Sequence, residues 1–370
     1  MESDRKLCRW GILSTAFIAR KNWQAILDAG NASLVAVASR DVAKSRQFVE
    51  ECQSQIAHPQ VPEALGSYEA LITHPGIDAL YIPLPTGLRK EWVIRAANAG
   101  KHVLVEKPVG TNENDALEMT AACERNRVQF MDGVMFMHSQ RLRRLRAVLD
   151  DPKRIGAIRR LALHFSFAGG EEFMRGNIRT HGALEPLGCL GDLGWYCVRF
   201  ALWAMNYQLP QQVTARILSE AKQDDGLAAV PTEMNTELIF ANGVSASFHC
   251  SFISENAEWA HVSGARGSAF VSDFVLPFHG SSTNFIVRNP EFLLAGCEFD
   301  MHERRTDVLI DEPSNNAPGS QEAEMFRTFS ALVLEGQLDA HWPRITLRTQ
   351  RVIDACLQSG RNGGRPVDLT

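Results

Sequence analysis

The sequence lacks the features that mark membrane, secreted and nucleic-acid-binding proteins. Its apolar runs fall far short of the roughly 18 residues that a bilayer-spanning helix requires, so no transmembrane segment is predicted. A net charge of −5 gives the chain no general attraction to nucleic acids or anionic lipids. The N-terminal stretch MESDRKLCRW contains no apolar segment of the kind found in secretory signals. These absences predict a cytoplasmic protein with neither membrane nor nucleic acid as a partner.

Cysteine and metal-binding patterns are equally sparse. The 370 residues include eight cysteines and 11 histidines, with no C-x-x-C or H-E-x-x-H spacing. Such cysteines are typical of reduced thiols in the cytoplasm, and such histidines predict no dedicated metal site. An arginine-rich stretch at 141–160 is interrupted by Asp150 and Asp151 and contains no aromatic residue. We interpret it as a solvated surface and not as a nucleic-acid site.

The first third of the chain contains a regular alternation of strand and helix patterns. The predicted strands cover residues 9–14, 34–40, 79–85, 102–107 and 128–134. Amphipathic stretches near 17–29, 41–55, 88–100 and 112–126 separate them. This alternation predicts right-handed βαβ crossovers. We therefore expect an α/β fold whose residues 1–134 form a dinucleotide-binding Rossmann domain with a doubly wound parallel sheet.

The regular alternation of strand and helix patterns ends at about residue 135. Helical patterns near 139–150, 190–206, 320–335 and 345–359 flank several long strand patterns, two of them joined by the hairpin-like turn ANGVS. Residues 135–370 are thus predicted to form an α+β domain with a mostly antiparallel open sheet, for substrate binding and oligomerisation. We expect the uncovered face of this sheet to be rich in Val, Phe and Ile along VSASFHCSFI. Such a face is typical of an interface, which predicts a homodimer or homotetramer.

A dinucleotide site is expected where the first predicted strand meets the next helix, because helix N-termini bind pyrophosphate. The sequence there is GILSTAFIAR. Aligned to G-x-G-x-x-[GA], it has Ser14 and Ala16 where the pattern has its first two glycines. Small side chains still allow phosphate to approach, and Ser14 and Thr15 add hydroxyl donors. The predicted cofactor loop comprises Ser14, Thr15, Ala16, Phe17 and Ile18.

The end of the second predicted strand indicates which dinucleotide binds. Enzymes that use NAD usually place Asp or Glu there for the ribose 2′-hydroxyl, whereas this strand ends in Ser39 and Arg40. A guanidinium and a hydroxyl suit a 2′-phosphate, so NADP is expected over NAD. Two alternatives remain at this point: Asp41 binds the ribose hydroxyl of NAD, or Arg40 only covers the start of the next helix.

The stretch VLVEKPVG ends an apolar strand on Glu106, Lys107 and Pro108, and burying two charges there is costly unless each has a partner. Together with GILSTAFIAR, SYEALITHPGIDALYIPLPT, GKHVLVEKP and GDLGWY, this stretch resembles the glucose–fructose oxidoreductase, inositol dehydrogenase and MocA family over the whole chain. It is most similar to the dihydrodiol-dehydrogenase-like and sugar oxidoreductase branch. The resemblance implies an oxidoreductase that transfers hydride between a nicotinamide cofactor and a secondary alcohol or ketone of a sugar or cyclic diol. The expected cofactor is NADP, with NAD as the less favoured alternative.

The resemblance also implies roles for individual residues. Lys107 would lie beside the nicotinamide and the reacting carbinol, Glu106 would offset its charge, and the Lys107–Pro108 bond would be cis. Tyr196 would exchange the proton, because a neighbouring cation brings a phenol pKa of about 10 toward the useful range. Asp192 lies four residues before Tyr196, which predicts one helix face for both. The implied catalytic residues are Lys107, Tyr196 and Asp192; further cofactor contacts are Pro83, Leu84, Pro85, Thr86 and Glu106; the substrate contacts are Phe136, His138, Arg179, Asp192 and Tyr196.

Two points stay open on the sequence alone. Arg179 is expected either to anchor a substrate hydroxyl or carboxylate, or to pair with Glu185. Many members of the resembled family carry histidine where this chain has Arg89, so no imidazole is expected there. The resemblance also admits a cofactor-binding sensor without activity and an NAD-dependent glycosidase. Retention of both Lys107 and Tyr196 favours the oxidoreductase.

Overall fold

A computed structural model describes residues 6–223 and 227–369 of the chain. The chain forms two compact units that do not follow the sequence continuously. The first unit extends to His138 and also takes in Ala183–Pro186 and Asn315–Arg351. The second consists of Ser139–Gly182, Leu187–Ser314 and Val352–Thr370.

The first unit contains a parallel sheet with helices between its strands. In chain order its elements up to residue 132 are β1 (Cys8–Leu13), α1 (Phe17–Asp28), β2 (Ala32–Ala38), α2 (Val42–Gln55), β3 (Glu63–Leu65), α3 (Tyr68–Ile72), β4 (Ala79–Ile82), α4 (Thr86–Asn98), β5 (His102–Val105), α5 (Glu113–Arg125) and β6 (Phe130–Asp132). The strand order is β3-β2-β1-β4-β5-β6, and every neighbouring pair is parallel. This is the doubly wound order of dinucleotide-binding folds, and it confirms the predicted fold class. The order reverses between β1 and β4, so the ligand crevice of such a sheet lies at their carboxyl ends.

The remaining elements include a long mixed sheet. They are α6 (Gln140–Asp150), β7 (Ile158–Ala168), α7 (Glu171–Gly176), α8 (Trp195–Ala204), β8 (Gln212–Ala221), β9 (Val230–Ile239), β10 (Ser245–Ser251), β11 (Ile253–Gly264), β12 (Ser268–Val271), β13 (Thr283–Arg288), β14 (Glu291–Ala295), β15 (Glu298–His302), β16 (Arg305–Ile310), α9 (Gln321–Glu335), α10 (His341–Arg361) and β17 (Val367–Asp368). Nine of these strands form the sheet β16-β13-β12-β11-β7-β10-β9-β8-β17. Its strands pair antiparallel except β7 and β10, so the predicted mostly antiparallel sheet is confirmed.

The open face of the nine-stranded sheet differs from the expected one. On β10 the apolar side chains Ala246, Phe248 and Cys250 are buried, while Ser245 and His249 lie on the less covered side. The prediction of a Val-, Phe- and Ile-rich uncovered face along VSASFHCSFI was therefore wrong. The strand does alternate, but its apolar side packs into the core of its own unit, where burial removes more apolar surface from water.

Several elements were not predicted from the sequence. The short edge strand β3 and the five-residue helix α3 were not predicted, because neither is long enough to show a periodic pattern. The strands β13 to β16 also lie outside the predicted set. The turn after β9 does join β9 to β10 as expected, with Asn242 and Gly243 both at positive φ.

Helix α9 supplies part of the core of the first unit. The Phe326 ring packs edge-on against Trp10, with centroids 4.9 Å apart, and against Tyr81 at 5.7 Å. The Trp10 indole N–H donates to Ser330 Oγ on the same helix at 3.0 Å. The helix thereby covers β1 and β4, the two strands at which the sheet order reverses.

We expect Phe326→Ala to lower the free energy of unfolding by about 3–5 kcal/mol, because it removes a buried ring and leaves a cavity. Urea unfolding followed by tryptophan fluorescence measures the change. Val61→Ala is the control, since Val61 is 68% exposed and its truncation leaves no cavity. Equal midpoints for the two variants would contradict the assignment of Phe326 to the core.

Candidate active site

The turn after β1 adopts the backbone that a glycine pattern requires, although it contains no glycine. Ser14 has φ 136°, a region that residues with a Cβ rarely adopt. Its hydroxyl accepts from the N–H of Ala16 at 3.1 Å and donates to the Pro83 carbonyl at 3.4 Å. These two bonds hold Ser14 in place and tie the turn to the loop after β4. Helix α1 then begins at Phe17, whose side chain is 88% exposed.

The polar residues after β2 have separate tasks. The Ser39 hydroxyl is buried and bonds within its own turn, donating to the Asp41 carbonyl at 2.7 Å. The Asp41 carboxylate caps α2 by accepting from the N–H of Ala43 at 2.9 Å. Arg40 is exposed. Burial raises the pKa of the Tyr68 phenol, and the nearby charge of Arg40 lowers it by a smaller amount. Arg40 and Asp41 are both exposed, but the Asp41 carboxylate is engaged in capping α2.

Glu106 is part of a buried polar chain behind the end of β5. Its carboxylate accepts from the Tyr81 hydroxyl at 2.6 Å and from the backbone N–H of Lys107 at 3.2 Å. The Asn22 amide in turn donates to the Tyr81 oxygen at 2.6 Å. Complete burial, and secondly the Glu106 charge, raise the pKa of Tyr81 well above its usual value, so Tyr81 remains a donor at neutral pH. These hydrogen bonds fix the backbone at Lys107. The Lys107–Pro108 bond is cis, as the resemblance implied.

A buried guanidinium joins the loops that follow β4 and β5. Arg89 is 5% exposed; its Nε donates to the Leu84 carbonyl at 2.7 Å and its Nη1 to the Thr86 hydroxyl at 3.0 Å. The same Nη1 donates to the carbonyl of Pro108, the residue after Lys107. Three acceptors from two loops therefore converge on one side chain. For this position the sequence predicted only the absence of histidine, whereas in the structure Arg89 connects the two loops of the site.

Segment Ala183–Pro186 packs on the N-terminus of α4 in the first unit. The Glu185 carboxylate accepts from the backbone N–H of Thr86 at 3.0 Å and from the Thr86 hydroxyl. The N–H of Gly87 donates to the Leu184 carbonyl at 2.9 Å. A carboxylate at a helix N-terminus is favourable because the helix dipole is positive there. Glu185 thus accepts two hydrogen bonds from Thr86 at the start of α4, and its pairing with Arg179 stays a prediction.

The remaining site residues of the second unit lie at the start of α8. Arg179 Nε forms an ion pair with Asp192 Oδ2 at 2.8 Å. Tyr196 is buried, and its ring packs on Phe165 with centroids 5.6 Å apart. Residues Leu190–Gly194 form a π-helical turn that leads into the α-helix Trp195–Ala204. The helix predicted near 190–206 therefore begins in a π-helical turn that contains Asp192, and a common face for Asp192 and Tyr196 stays a prediction.

Phe136 and His138 lie in a 3₁₀ turn after β6. Their side chains are 1% and 3% exposed, and the His138 ring stacks on Trp342 with centroids 4.7 Å apart. Both residues thus contribute to the interior of the first unit, and their contact with a substrate stays a prediction.

Among the described residues, no group of three or more His, Cys, Asp or Glu side chains is arranged to hold a metal ion. Within the same residues no helix combines the length and apolar character needed to cross a bilayer.

Comparison with known proteins assigns the family. The model of an oxidoreductase family with an NAD-binding Rossmann fold matches residues 8–134, and that of the GFO/IDH/MocA C-terminal domain matches residues 142–270. The trans-1,2-dihydrobenzene-1,2-diol dehydrogenase of Mus musculus is 30% identical over 73% of this chain and 76% of its own length. The chain belongs to the GFO/IDH/MocA family of oxidoreductases.

Other relatives in this family act on sugars. The D-xylose 1-dehydrogenase (NADP(+)) 2 of Haloferax volcanii is 30% identical over 70% of this chain and 74% of its own length. Among solved structures, a 3-ketoreductase from Actinomadura kijaniata in complex with NADP and TDP-benzene has a TM-score of 0.79 at 25% identity, covering 97% of this chain and 98% of that one. A levoglucosan dehydrogenase in complex with NADH and L-sorbose has a TM-score of 0.78 at 17% identity, covering 99% of each chain. These likenesses extend across both units of the fold.

We expect Arg89→Ala to lower the free energy of unfolding by about 3 kcal/mol or more, because hydrogen bonds to a charged group contribute roughly 1.5–3 kcal/mol each. Arg89→Lys should recover part of this loss, since an ammonium keeps the charge but not the guanidinium fork. Urea unfolding measures both. Arg125→Ala, at the exposed end of α5, is the control and should change stability by less than about 0.5 kcal/mol. An Arg89→Ala variant as stable as that control would contradict the proposed joining of the loops.

Proposed function

We propose that the protein is an NADP-dependent oxidoreductase that interconverts a secondary alcohol and a ketone of a sugar or cyclic diol. The observation that carries the proposal is the position of Lys107, the second residue after β5, which lies next to β4 in the sheet. A dinucleotide in a doubly wound sheet binds at this carboxyl edge. When bound, NADP supplies or accepts the hydride.

The residues around the crevice fit a dinucleotide. The turn Ser14–Ala16 leads directly into α1, whose first turn contains no acidic residue that would repel a pyrophosphate. Phe17 and Ile18 begin this helix, with large exposed fractions of 88% and 39% that a bound cofactor would cover. The loop Pro83, Leu84, Pro85 and Thr86 follows β4 and is held by Arg89. We assign the nicotinamide ribose to this loop.

Arg40 supports NADP over NAD. Its exposed cation is the group available to a 2′-phosphate, while Asp41 already caps α2. Ser39 stabilises the turn, because its buried hydroxyl forms hydrogen bonds with the backbone carbonyl and N–H of Asp41. The relatives described as binding or using NADP include the xylose dehydrogenase and the 3-ketoreductase. These observations favour NADP as the cofactor of this chain.

Lys107 and Tyr196 are the proposed catalytic residues. The Lys107 ammonium orients and polarises the oxygen of the reacting carbon, and Glu106 offsets its charge and fixes its backbone. The Tyr196 hydroxyl gives a proton to that oxygen in reduction and takes it in oxidation. Asp192, paired with Arg179, orients the substrate beside Tyr196. The 3-ketoreductase has been crystallised with a tyrosine replaced by phenylalanine and with a lysine replaced by alanine or glutamate, which are the same two residue types.

The protein is also proposed to form a homodimer or homotetramer through the open face of its nine-stranded sheet. This face carries Trp259, Phe270 and Ile286 in partly exposed positions. It also carries Arg216 and Glu237, so both signs of charge are present. A face of this composition can pair with a second copy of itself.

Cofactor preference provides the first test. NADPH should bind more tightly than NADH, and Arg40→Ala should narrow the difference by roughly 1.5–3 kcal/mol, because a charge-assisted bond to the 2′-phosphate is lost. Isothermal titration calorimetry with both cofactors measures the effect. Arg46→Ala, an exposed arginine on α2, should leave the ratio unchanged. Equal affinities of the unaltered protein for NADPH and NADH would show that Arg40 does not select the cofactor.

The catalytic pair provides the second test. Lys107→Met and Tyr196→Phe should each lower the turnover rate by about 10²–10⁴-fold, with little change in NADPH affinity. Since both groups act on one oxygen, the double variant should be much less impaired than the product of the single effects. Stopped-flow absorbance of NADPH measures turnover, and Lys90→Met on α4 is the matched lysine control. Near-normal turnover of Tyr196→Phe on its substrate would remove Tyr196 from the proton transfer and leave Asp192, through a water, as the candidate.

A further inference from the structure

Helix α4 begins without a cap of its own. The residue before it is Pro85, whose ring has no atom that can accept a hydrogen bond. The first N–H groups of a helix have no acceptor within the helix, so another part of the chain has to supply one. Here Glu185 Oε1 accepts from the N–H of Thr86 at 3.0 Å, although Glu185 lies 99 positions further along the chain. We call residues 183–186 the capping segment.

The capping segment also packs closely on the backbone of α4. The Leu184 carbonyl accepts from the N–H of Gly87 at 2.9 Å. A Cβ atom built on Gly87 would lie 2.2 Å from the Ala183 carbonyl oxygen, well inside van der Waals contact. Because the obstructing atom belongs to the backbone, the segment would have to move to admit a side chain. Alanine is otherwise more favourable than glycine in a helix, so Gly87 marks the close approach of the capping segment.

Both oxygens of the Glu185 carboxylate accept from Thr86. Oε1 takes the backbone N–H, and Oε2 takes the side-chain hydroxyl. The same hydroxyl accepts from Nη1 of Arg89 at 3.0 Å. A hydroxyl that contacts an anion and a cation has one favourable orientation, in which it donates to the carboxylate and accepts from the guanidinium. Since Thr86 is only 2% exposed, water competes little for either bond.

The guanidinium in this network also reaches the residue that follows the proposed catalytic lysine. Nη1 of Arg89 donates to the Pro108 carbonyl as well as to the Thr86 hydroxyl. Pro108 directly follows Lys107 in the sequence. A series of hydrogen bonds therefore runs from the Glu185 carboxylate through the Thr86 hydroxyl and the guanidinium to the backbone next to Lys107.

We propose that Glu185 is a positioning residue for Lys107, a proposal that rests on the hydride transfer proposed above. Its carboxylate fixes the Thr86 hydroxyl as an acceptor for Arg89, and Arg89 holds the Pro108 carbonyl. Because both of its oxygens are engaged with Thr86, Glu185 acts on the reaction through these residues. A catalytic group that is misplaced by about 1 Å can cost about 10²-fold in rate, so loss of this carboxylate should lower kcat.

Hydrogen exchange followed by mass spectrometry tests this series of contacts without any substrate. In Glu185→Gln an N–H₂ donor replaces one acceptor oxygen, so the two bonds from Thr86 are not both reproduced. We expect exchange in the peptides covering 83–90 and 103–110 to be about 10-fold faster or more than in the unaltered protein, because both loops open more readily. Glu171→Gln, whose side chain is 87% exposed on α7, is the matched control and should exchange like the unaltered protein.

Gly87→Ala is an independent variant, because it displaces the capping segment and leaves the Glu185 carboxylate intact. It should speed exchange in the same two peptides. Gly176→Ala, at the end of α7, is its control, since a Cβ built there meets no atom within 4 Å. Exchange in the 103–110 peptide that is unchanged in Glu185→Gln would overturn the positioning role.

Kinetics at saturating NADPH test the effect on catalysis, with the substrate selected from a panel of ketones of sugars, inositols and cyclic diols. Glu185→Gln and Gly87→Ala should each lower kcat about 10–100-fold, with the substrate KM within about twofold of the unaltered value. Faster exchange with a normal kcat, or a raised KM with a normal kcat, would overturn the positioning of Lys107. An unaltered protein that reduces no member of the panel would overturn the proposed function instead, and the exchange data would still decide whether Glu185 holds the backbone at Lys107.

Discussion

The buried guanidinium of Arg89 joins two loops beyond the ends of β4 and β5, and the arrangement of the candidate site depends on it. One loop contains Leu84 and Thr86, and the other contains Pro108, directly after the proposed catalytic lysine. A guanidinium suits this task because its donors have a fixed planar geometry and it keeps its charge at any physiological pH. Burial makes the arrangement demanding, since an unsatisfied buried cation is costly.

The polar chain behind β5 complements this contact. Asn22 on α1, Tyr81 on β4 and Glu106 after β5 connect three elements of the first unit through two hydrogen bonds of 2.6 Å. The Glu106 carboxylate also accepts from the backbone N–H of Lys107, and Arg89 donates to the carbonyl of Pro108. The backbone on both sides of the Lys107 side chain is therefore fixed by hydrogen bonds. Of the two charged residues in VLVEKPVG, Glu106 is buried and accepts two hydrogen bonds, while Lys107 is only partly buried. With the backbone of Lys107 fixed in this way, only its side-chain torsions have to be ordered when a substrate binds.

Local patterns in the sequence predicted much of the fold, because the parallel strands are buried and apolar and the intervening helices are amphipathic. The place of Ser14 at the first glycine position of the loop was recognised from the sequence, whereas its φ of 136° was not predicted. The role of Arg89 was not predicted, because its acceptors lie three, five and 19 positions away and the most distant, the Pro108 carbonyl, reaches it only in the fold. The π-helical turn before Trp195 and the orientation of β10 likewise depend on tertiary packing, which periodicity does not report.

The central claim is that hydride moves between this protein's substrate and NADP at Lys107. The most direct measurement supplies NADP⁺ and a panel of sugars, inositols and cyclic diols carrying deuterium on the carbinol carbons. Absorbance at the NADPH band selects the substrate, and mass spectrometry of the recovered cofactor locates the label. The account predicts that at least one substrate yields deuterated NADPH in an amount equal to the ketone formed, and that Lys107→Met slows this transfer by about 10²–10⁴-fold. Tight binding of NADP⁺ with all label retained in every substrate would contradict it.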